Sequence, residues 1–293
     1  MAEIGIIDAL IIVLIGIIEG ITEWLPVSST GHMLIFDQFV PFKATPAFKE
    51  MFFVVIQLGA ILAVVTVFFK KMLPFGIEKK TKISETNAPV TVENGKKLYL
   101  KNDVIMMWLK VVVACIPSAV IGVLFDDFLE KTLSSPLLIA AMLVLYGVGF
   151  IVIEKLRKGS TPKCNALADI TWLQALLIGG FQVLSLIPGT SRSGATIIGA
   201  LIIGVSRTAA AEFTFFLAVP TMLGASLLKL LKFGLAFTSA ELIAVLLGMA
   251  VAYAVSLIAI KFLMDFVKKH DFSVFGWYRI ALGAVVILVT LLV

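Results

Sequence analysis

The stretch GIIEGITEWLPVSSTGH, residues 16–32, decides how this chain folds. Apolar sequence runs into it from residue 4 and out of it to residue 36, yet it is interrupted at Pro26-Val27-Ser28-Ser29-Thr30-Gly31. A proline followed by hydroxyl residues ends one helix and caps the next. The same interruption recurs in 170–205, at Pro188-Gly189-Thr190-Ser191-Arg192-Ser193-Gly194. Around these two segments stand six unbroken apolar runs, at 48–69, 104–125, 137–153, 212–231, 242–262 and 274–293. About 18 or more apolar residues suffice to cross a bilayer, so each run is a span, 137–153 being the shortest. Broken backbone at membrane depth is tolerated only where protein or a wet cavity surrounds it. The two interrupted segments therefore read as re-entrant helical hairpins, each entering and leaving on one side.

Composition agrees. Of 293 residues, 60% are hydrophobic and 15% charged, against roughly 25% charged in soluble proteins. A water-soluble globule could not hide that much apolar surface, and disorder is excluded by the same figures. The net charge of +5 gathers in loops between apolar runs, which is membrane usage, so no nucleic-acid partner is expected. Cys115 and Cys164 make neither a disulfide framework nor a metal-ligand spacing; one buried small hydrophobe and one loop thiol are expected. The apolar N-terminus lacks a basic segment and a small-residue cleavage site, so a cleaved signal peptide is not expected.

Loop charge sets the orientation. With both hairpins re-entrant and the loop 70–103 inside, the loops 70–103, 155–170, 204–211 and 263–273 face the cytoplasm and hold 15 Lys and Arg, against 5 in the outward segments. The first hairpin then enters from outside, the second from the cytoplasm, and the hydrophilic insertion 71–102 is a cytoplasmic loop rather than a soluble domain. Lys79, Lys80 and Lys82 fall at that surface, near anionic headgroups. Asp126, Asp127 and Glu130 fall in an outer loop.

The halves also match. An offset of 162 aligns Pro26 with Pro188, Ser29 with Ser191, Ile35 with Ile197, Ala47 with Ala209, Glu50 with Glu212 and Phe53 with Phe215. Hairpin and three spans occur twice, over 1–153 and 170–293. Three spans is an odd number, so the second copy is upside down. The expected fold is thus an all-α integral membrane protein forming one membrane domain, an inverted repeat of a kind best known in secondary transporters.

Ionisable residues inside apolar stretches carry the functional signal, because each costs roughly 2.5–3.5 kcal/mol near a helix centre. Glu19 and Glu23, four apart, share a helix face, and Gly16 and Gly20 allow close backbone approach there. Two adjacent carboxylates hold a proton or share a cation, and hard oxygen ligands suit Mg²⁺ or Ca²⁺. Ser29 and His32, three apart, suit a serine nucleophile with its base, or a histidine nucleophile beside an orienting serine. Arg192 needs an anion at that depth, and its planar fork suits phosphate. Thr190, Ser191, Ser193, Ser28 and Thr30, with the N–H groups of the following half-helices, add donors. Glu50 and Glu212 read as structural. Neither a Walker motif nor a HExxH zinc motif is present.

The two motifs, Glu19 to His32 and Pro188 to Gly194, closely resemble those of the bacterial undecaprenyl-diphosphate phosphatase family, the bacitracin-resistance type, and the resemblance covers nearly the whole chain. The 71–102 loop is its least family-like part. The resemblance implies dephosphorylation of a C55 isoprenoid diphosphate at the outer face of the plasma membrane. That reaction regenerates the monophosphate carrier for wall polymers and confers bacitracin resistance. It also implies a divalent cation, and functional positions at Glu19, Glu23, Ser29, His32 and Arg192. Expected partners are the polyprenyl diphosphate, membrane lipid and, as an option, a second copy of the chain. The alternative is a lipid-carrier transporter, which needs Arg192 but no nucleophile. A non-catalytic scaffold would leave four intramembrane ionisable residues unexplained, at a cost of roughly 10 kcal/mol.

Overall fold

A computed structural model describes residues 5–79, 96–133, 135–234 and 236–292. Helix α1 (Ile6–Thr22) and α2 (Ser29–Phe39) form the first broken pair; α3 (Pro46–Val55) and α4 (Gln57–Met72) follow. Strands β1 (Phe75–Lys79) and β2 (Lys96–Leu100) precede α5 (Asn102–Leu133) and α6 (Pro136–Leu156). The second broken pair is α7 (Trp172–Val183) with α8 (Arg192–Ile202), and α9 (Arg207–Phe233), α10 (Ser239–Phe266) and α11 (Ser273–Leu292) complete the chain. Among the described residues six helical stretches are long and apolar enough to cross a membrane: Pro46–Met72 (α3 with α4), Asn102–Phe125, Pro136–Leu156, Arg207–Phe233, Ser239–Phe266 and Ser273–Leu292. The protein is an all-α multi-pass membrane protein. Its small departures among the described residues are the antiparallel pairing of β1 with β2, in register from Phe75 opposite Leu100 to Lys79 opposite Lys96, and an isolated parallel bridge between Cys164 and Val205.

Helix starts follow from local chemistry. Thr45 and Ser135 cap α3 and α6, each followed by a proline whose missing N–H costs nothing at that position. Ser206 caps α9 through the Ala209 N–H. Residues 80–95 of the hydrophilic insertion, Lys80 and Lys82 with them, lie outside the described residues, as do the side chains of Lys79, Asp126, Asp127 and Glu130.

Close helix approach depends on small residues. A Cβ on Gly16 would stand 2.9 Å from Val251 Cβ, and one on Gly20 would stand 2.9 Å from the Ala252 carbonyl, so this pair seats α1 on α10. Gly147 and Gly276 do the same for α6 and α11, each facing the other's carbonyl, at 2.7 and 2.6 Å. Packing is mirrored between the halves: α1 lies on α10 as α7 lies on α5, and α4 lies on α10 as α9 lies on α5. The α3–α4 pair and α9 run side by side and are tied at both ends. Lys71 pairs with Glu212 at 2.7 Å at one end, and Lys229 pairs with Glu50 at the other. Each of the two glutamates read as structural thus has a lysine partner.

Several loops converge at the Glu212 end. The buried Glu154 accepts from Arg207 Nη2 at 2.5 Å and from the Phe272 N–H at 3.0 Å. The Lys163 N–H donates to the Gly204 carbonyl. Cys164 is buried there, so the loop thiol is also the buried one, while Cys115 in α5 is half-buried beside Thr221.

Candidate active site

The two breaks are built alike. Ser28 (φ 74°) and Ser191 (φ 70°) are the only non-glycine residues at positive φ among the described residues. Such a conformation costs roughly 1–3 kcal/mol and persists only where the surroundings enforce it. Each serine caps the half-helix that follows: Ser28 Oγ accepts from the Gly31 N–H at 3.4 Å, and Ser191 Oγ from the Gly194 N–H at 3.2 Å. Geometry therefore matches Ser28 with Ser191, one residue away from the pairing of Ser29 with Ser191 that the ungapped alignment suggests. Ser29 and Arg192 then become equivalents, the first residues of α2 and α8.

Both of these first residues contact Glu23. The Ser29 hydroxyl donates to Glu23 Oε2 at 3.1 Å. Arg192 donates to Glu23 Oε1 from Nη2 at 3.2 Å and from Nε at 3.3 Å. Arg192 also donates from Nη1 to the Thr214 carbonyl at 2.9 Å and lies 5.8 Å from the Trp24 ring centroid. The pair is nearly dry, with 9% of the arginine side chain and 8% of the glutamate exposed. The first N–H groups of each half-helix have no acceptor within their own helix, and helix N-termini favour an anion.

Glu19, one turn before Glu23 on α1, is buried, and its Oε1 has no hydrogen-bond partner. An orphaned buried carboxyl oxygen in a site implies a proton or a ligand. His32 points elsewhere. Its Nδ1 is 2.7 Å from the Ser28 carbonyl and its Nε2 is 2.7 Å from the Tyr278 hydroxyl, so its ring contacts Tyr278 rather than Ser29. Ser191 and Ser193 share a hydrogen bond of 3.1 Å. Thr190 is buried with an unpartnered hydroxyl, Ser28 is buried, and Thr30 is exposed.

Two residues that the sequence reading did not single out lie against this cluster. Tyr278 meets His32, and the fully buried Arg279 donates to the carbonyls of Pro26, Gly189 and Thr190. For Arg279 a signal existed: it is an arginine inside a 20-residue apolar span. Tyr278 gives none, since a tyrosine in a span is unremarkable on pattern alone.

Fold and site together define a multi-pass membrane protein with an arginine, a carboxylate and a hydroxyl gathered where two interrupted helices meet. The chain belongs to the family described as bacitracin resistance protein BacA, which matches residues 12–285. It is 61% identical over 284 residues to an undecaprenyl-diphosphatase of Enterococcus faecalis, covering 97% of this chain and 98% of that one. It is 54% identical to one of Lachnoclostridium phytofermentans (96% of each chain) and 53% identical to one of Desulfitobacterium hafniense (94% of each).

Proposed function

We propose that this chain is an undecaprenyl-diphosphatase: it hydrolyses the lipid diphosphate to the lipid monophosphate and inorganic phosphate. The relatives' shared activity supports this, and one observation carries the chemistry: Glu23 is held between a hydroxyl and a guanidinium at the mouths of two helix N-termini.

In the resting site Arg192 neutralises Glu23. A diphosphate's terminal phosphate offers Arg192 a second anion of higher charge, together with α2 and α8 N–H groups and the Thr190, Ser191, Ser193, Ser28 and Thr30 hydroxyls. Once Arg192 turns to phosphate, Glu23 is left as the proton acceptor beside the Ser29 hydroxyl. Ser29 Oγ attacks the terminal phosphorus and its proton passes to Glu23. The bond from that phosphorus to the bridging oxygen breaks, and the lipid monophosphate leaves. Water then attacks the phosphoserine phosphorus, the bond from that phosphorus to Ser29 Oγ breaks, Glu23 gives its proton back to Ser29 Oγ, and phosphate leaves with the oxygen and protons of the water. Arg192 spreads the developing charge, the main task in phosphoryl transfer. His32 is the rival nucleophile, and a phosphohistidine in place of a phosphoserine would reassign the roles.

A divalent cation fits the donor set. Among the described residues no group of three or more His, Cys, Asp or Glu gathers for a metal, so Glu19 and Glu23 are the carboxylates available. Mg²⁺ is commonly held by one or two carboxylates plus substrate phosphate, whereas Ca²⁺ wants six to eight oxygens, so the set suits Mg²⁺ better. When bound, such an ion would neutralise phosphate charge.

In the same reading 1–153 and 170–293 are an inverted repeat with re-entrant hairpins, supported by the mirrored helix packing and the two lysine–glutamate ties. The site opens to the outer face of the plasma membrane, supported by the charge excess of the loops that converge at the Glu212 end. A lipid transporter would share this repeat but would not need a hydroxyl poised on Glu23.

The test is Arg192→Lys in detergent, where hydrolysis needs no second compartment. Lysine keeps the charge and loses the fork. Expected are retained lipid binding and a kcat reduced at least about a hundredfold, as for loss of an oxyanion donor. Near wild-type turnover would remove phosphate clamping from this loop.

A further inference from the structure

Both hairpin tips are fastened by the same short piece of α11, from opposite sides of the sequence. We propose that Tyr278 and Arg279, neighbours on that helix, are positioning residues of this site: Arg279 locks the two tips to each other, and Tyr278 fixes the bearing of the His32 ring. The inference rests on the phosphatase reading above.

Arg279 is fully buried and its partners are backbone carbonyls: Pro26 at 3.2 Å from Nη1, and Gly189 and Thr190 at 2.7 and 2.8 Å from Nη2. Its guanidinium also stands 5.5 Å from the Tyr146 ring centroid. Among the described residues its hydrogen bonds go to no carboxylate. A buried guanidinium is expensive, and apolar residues would join helices at lower cost. What an arginine adds is a rigid planar fork that holds several acceptors in fixed directions.

The acceptors say what is being fixed. Thr190 immediately precedes Ser191, and Pro26 stands two residues before Ser28, the two strained caps. A trans peptide is planar, with its C=O and N–H on opposite sides. Holding the Thr190 carbonyl toward Arg279 therefore turns the Ser191 N–H away from it. Arg279 also reaches beneath the first turn of α8, where a Cβ on Gly194 would lie 2.8 Å from Nη1.

Tyr278 acts on the first tip alone. A carbonyl only accepts, so His32 Nδ1 carries the hydrogen that meets the Ser28 oxygen, and Nε2 of the neutral ring accepts from the Tyr278 hydroxyl. The two rings are stacked, with centroids 5.6 Å apart and planes 10° from parallel. Both ring nitrogens are thus bound, one by its own tip and one by α11.

The experiment uses full-length protein in detergent with undecaprenyl diphosphate, measuring kcat, KM and Tm for wild type, Tyr278→Phe, Arg279→Lys and Arg192→Lys. Tyr278→Phe removes a single hydroxyl. It should leave Tm and KM near wild type and lower kcat about tenfold, the rate equivalent of one hydrogen bond. Arg279→Lys should lower kcat at least about a hundredfold with KM changed much less, because lysine cannot reach both tips. Three results overturn the proposal: wild-type kcat in Tyr278→Phe, a rise in KM without loss of kcat, or an Arg279→Lys loss that only tracks the unfolded fraction. Should Arg279→Lys fail to purify, Tyr278→Phe decides. Arg192→Lys separates the failures. If it collapses while the α11 variants do not, only this inference falls; if it too turns over normally, the phosphatase reading falls first.

Discussion

Glu23 is shared by two hydrogen-bonding partners that make opposite demands on it. Arg192 stabilises it as a carboxylate, and Ser29 needs it as a proton acceptor. In the proposed reaction the substrate's phosphate takes the arginine, which would tie activation of the hydroxyl to arrival of phosphate. Ser29→Ala should therefore abolish turnover to background, a loss of several orders of magnitude, while lipid binding persists. His32→Ala should cost less, because His32 is bonded to Ser28 and Tyr278. Rapid quench followed by mass spectrometry should find phosphate on Ser29, and phosphate on His32 would reverse the two roles. Glu19, Glu23, His32 and Arg192 stand out in the sequence because a charge in an apolar run is costly, and Arg279, which the sequence reading did not single out, carries the same signal. Who touches whom does not. Spacing puts Ser29 near His32, but the strained cap at Ser28 turns its carbonyl onto the imidazole and leaves the Ser29 hydroxyl to Glu23. Tyr278 is 246 residues from His32 in the chain and carries no charge, so no local pattern could have joined them.

Individual elements are set by hydrophobic length and by small residues at crossings. Six apolar runs become six long helices because helix is the way an apolar segment satisfies its own backbone in lipid. The Pro46–Met72 span shows the limit of that rule, since it is two helices meeting at Ile56, a junction with no proline or glycine to announce it. The β1–β2 pairing was not legible either, because the apolar periodicity that marks spans says nothing about a polar insertion. Crossings are more predictable. The Gly147–Gly276 contact has no room for a methyl group. Gly147→Ala should force α6 and α11 apart and destabilise the protein by about 1–3 kcal/mol. A fall of several degrees in Tm, with loss of activity in step with displacement of α11, is the expected result; an unchanged Tm would mean that the crossing is loose.

For the molecule as a whole, the Lys71–Glu212 and Lys229–Glu50 ties set α3–α4 and α9 in opposite directions across the bilayer. The proposed inverted repeat gives a direct test of sidedness. With Cys115 and Cys164 replaced, single cysteines at Asn94 and at Thr132 should label from opposite sides of intact cells with an impermeant maleimide. Labelling of both from outside would overturn the inverted arrangement. The count of spans and the existence of two interrupted segments could be read from the sequence, because both are properties of one segment at a time. The clamp that joins those segments could not, because it belongs to three parts of the chain at once: residue 26, residues 189–190 and residue 279. That arrangement has a consequence for biogenesis. As the ribosome extends the chain, both interrupted segments precede α11, so the Arg279 bonds to residues 26, 189 and 190 form only after α11 inserts. In the reading proposed above, the nascent protein holds Glu23, Ser29 and Arg192 before the clamp that positions them exists.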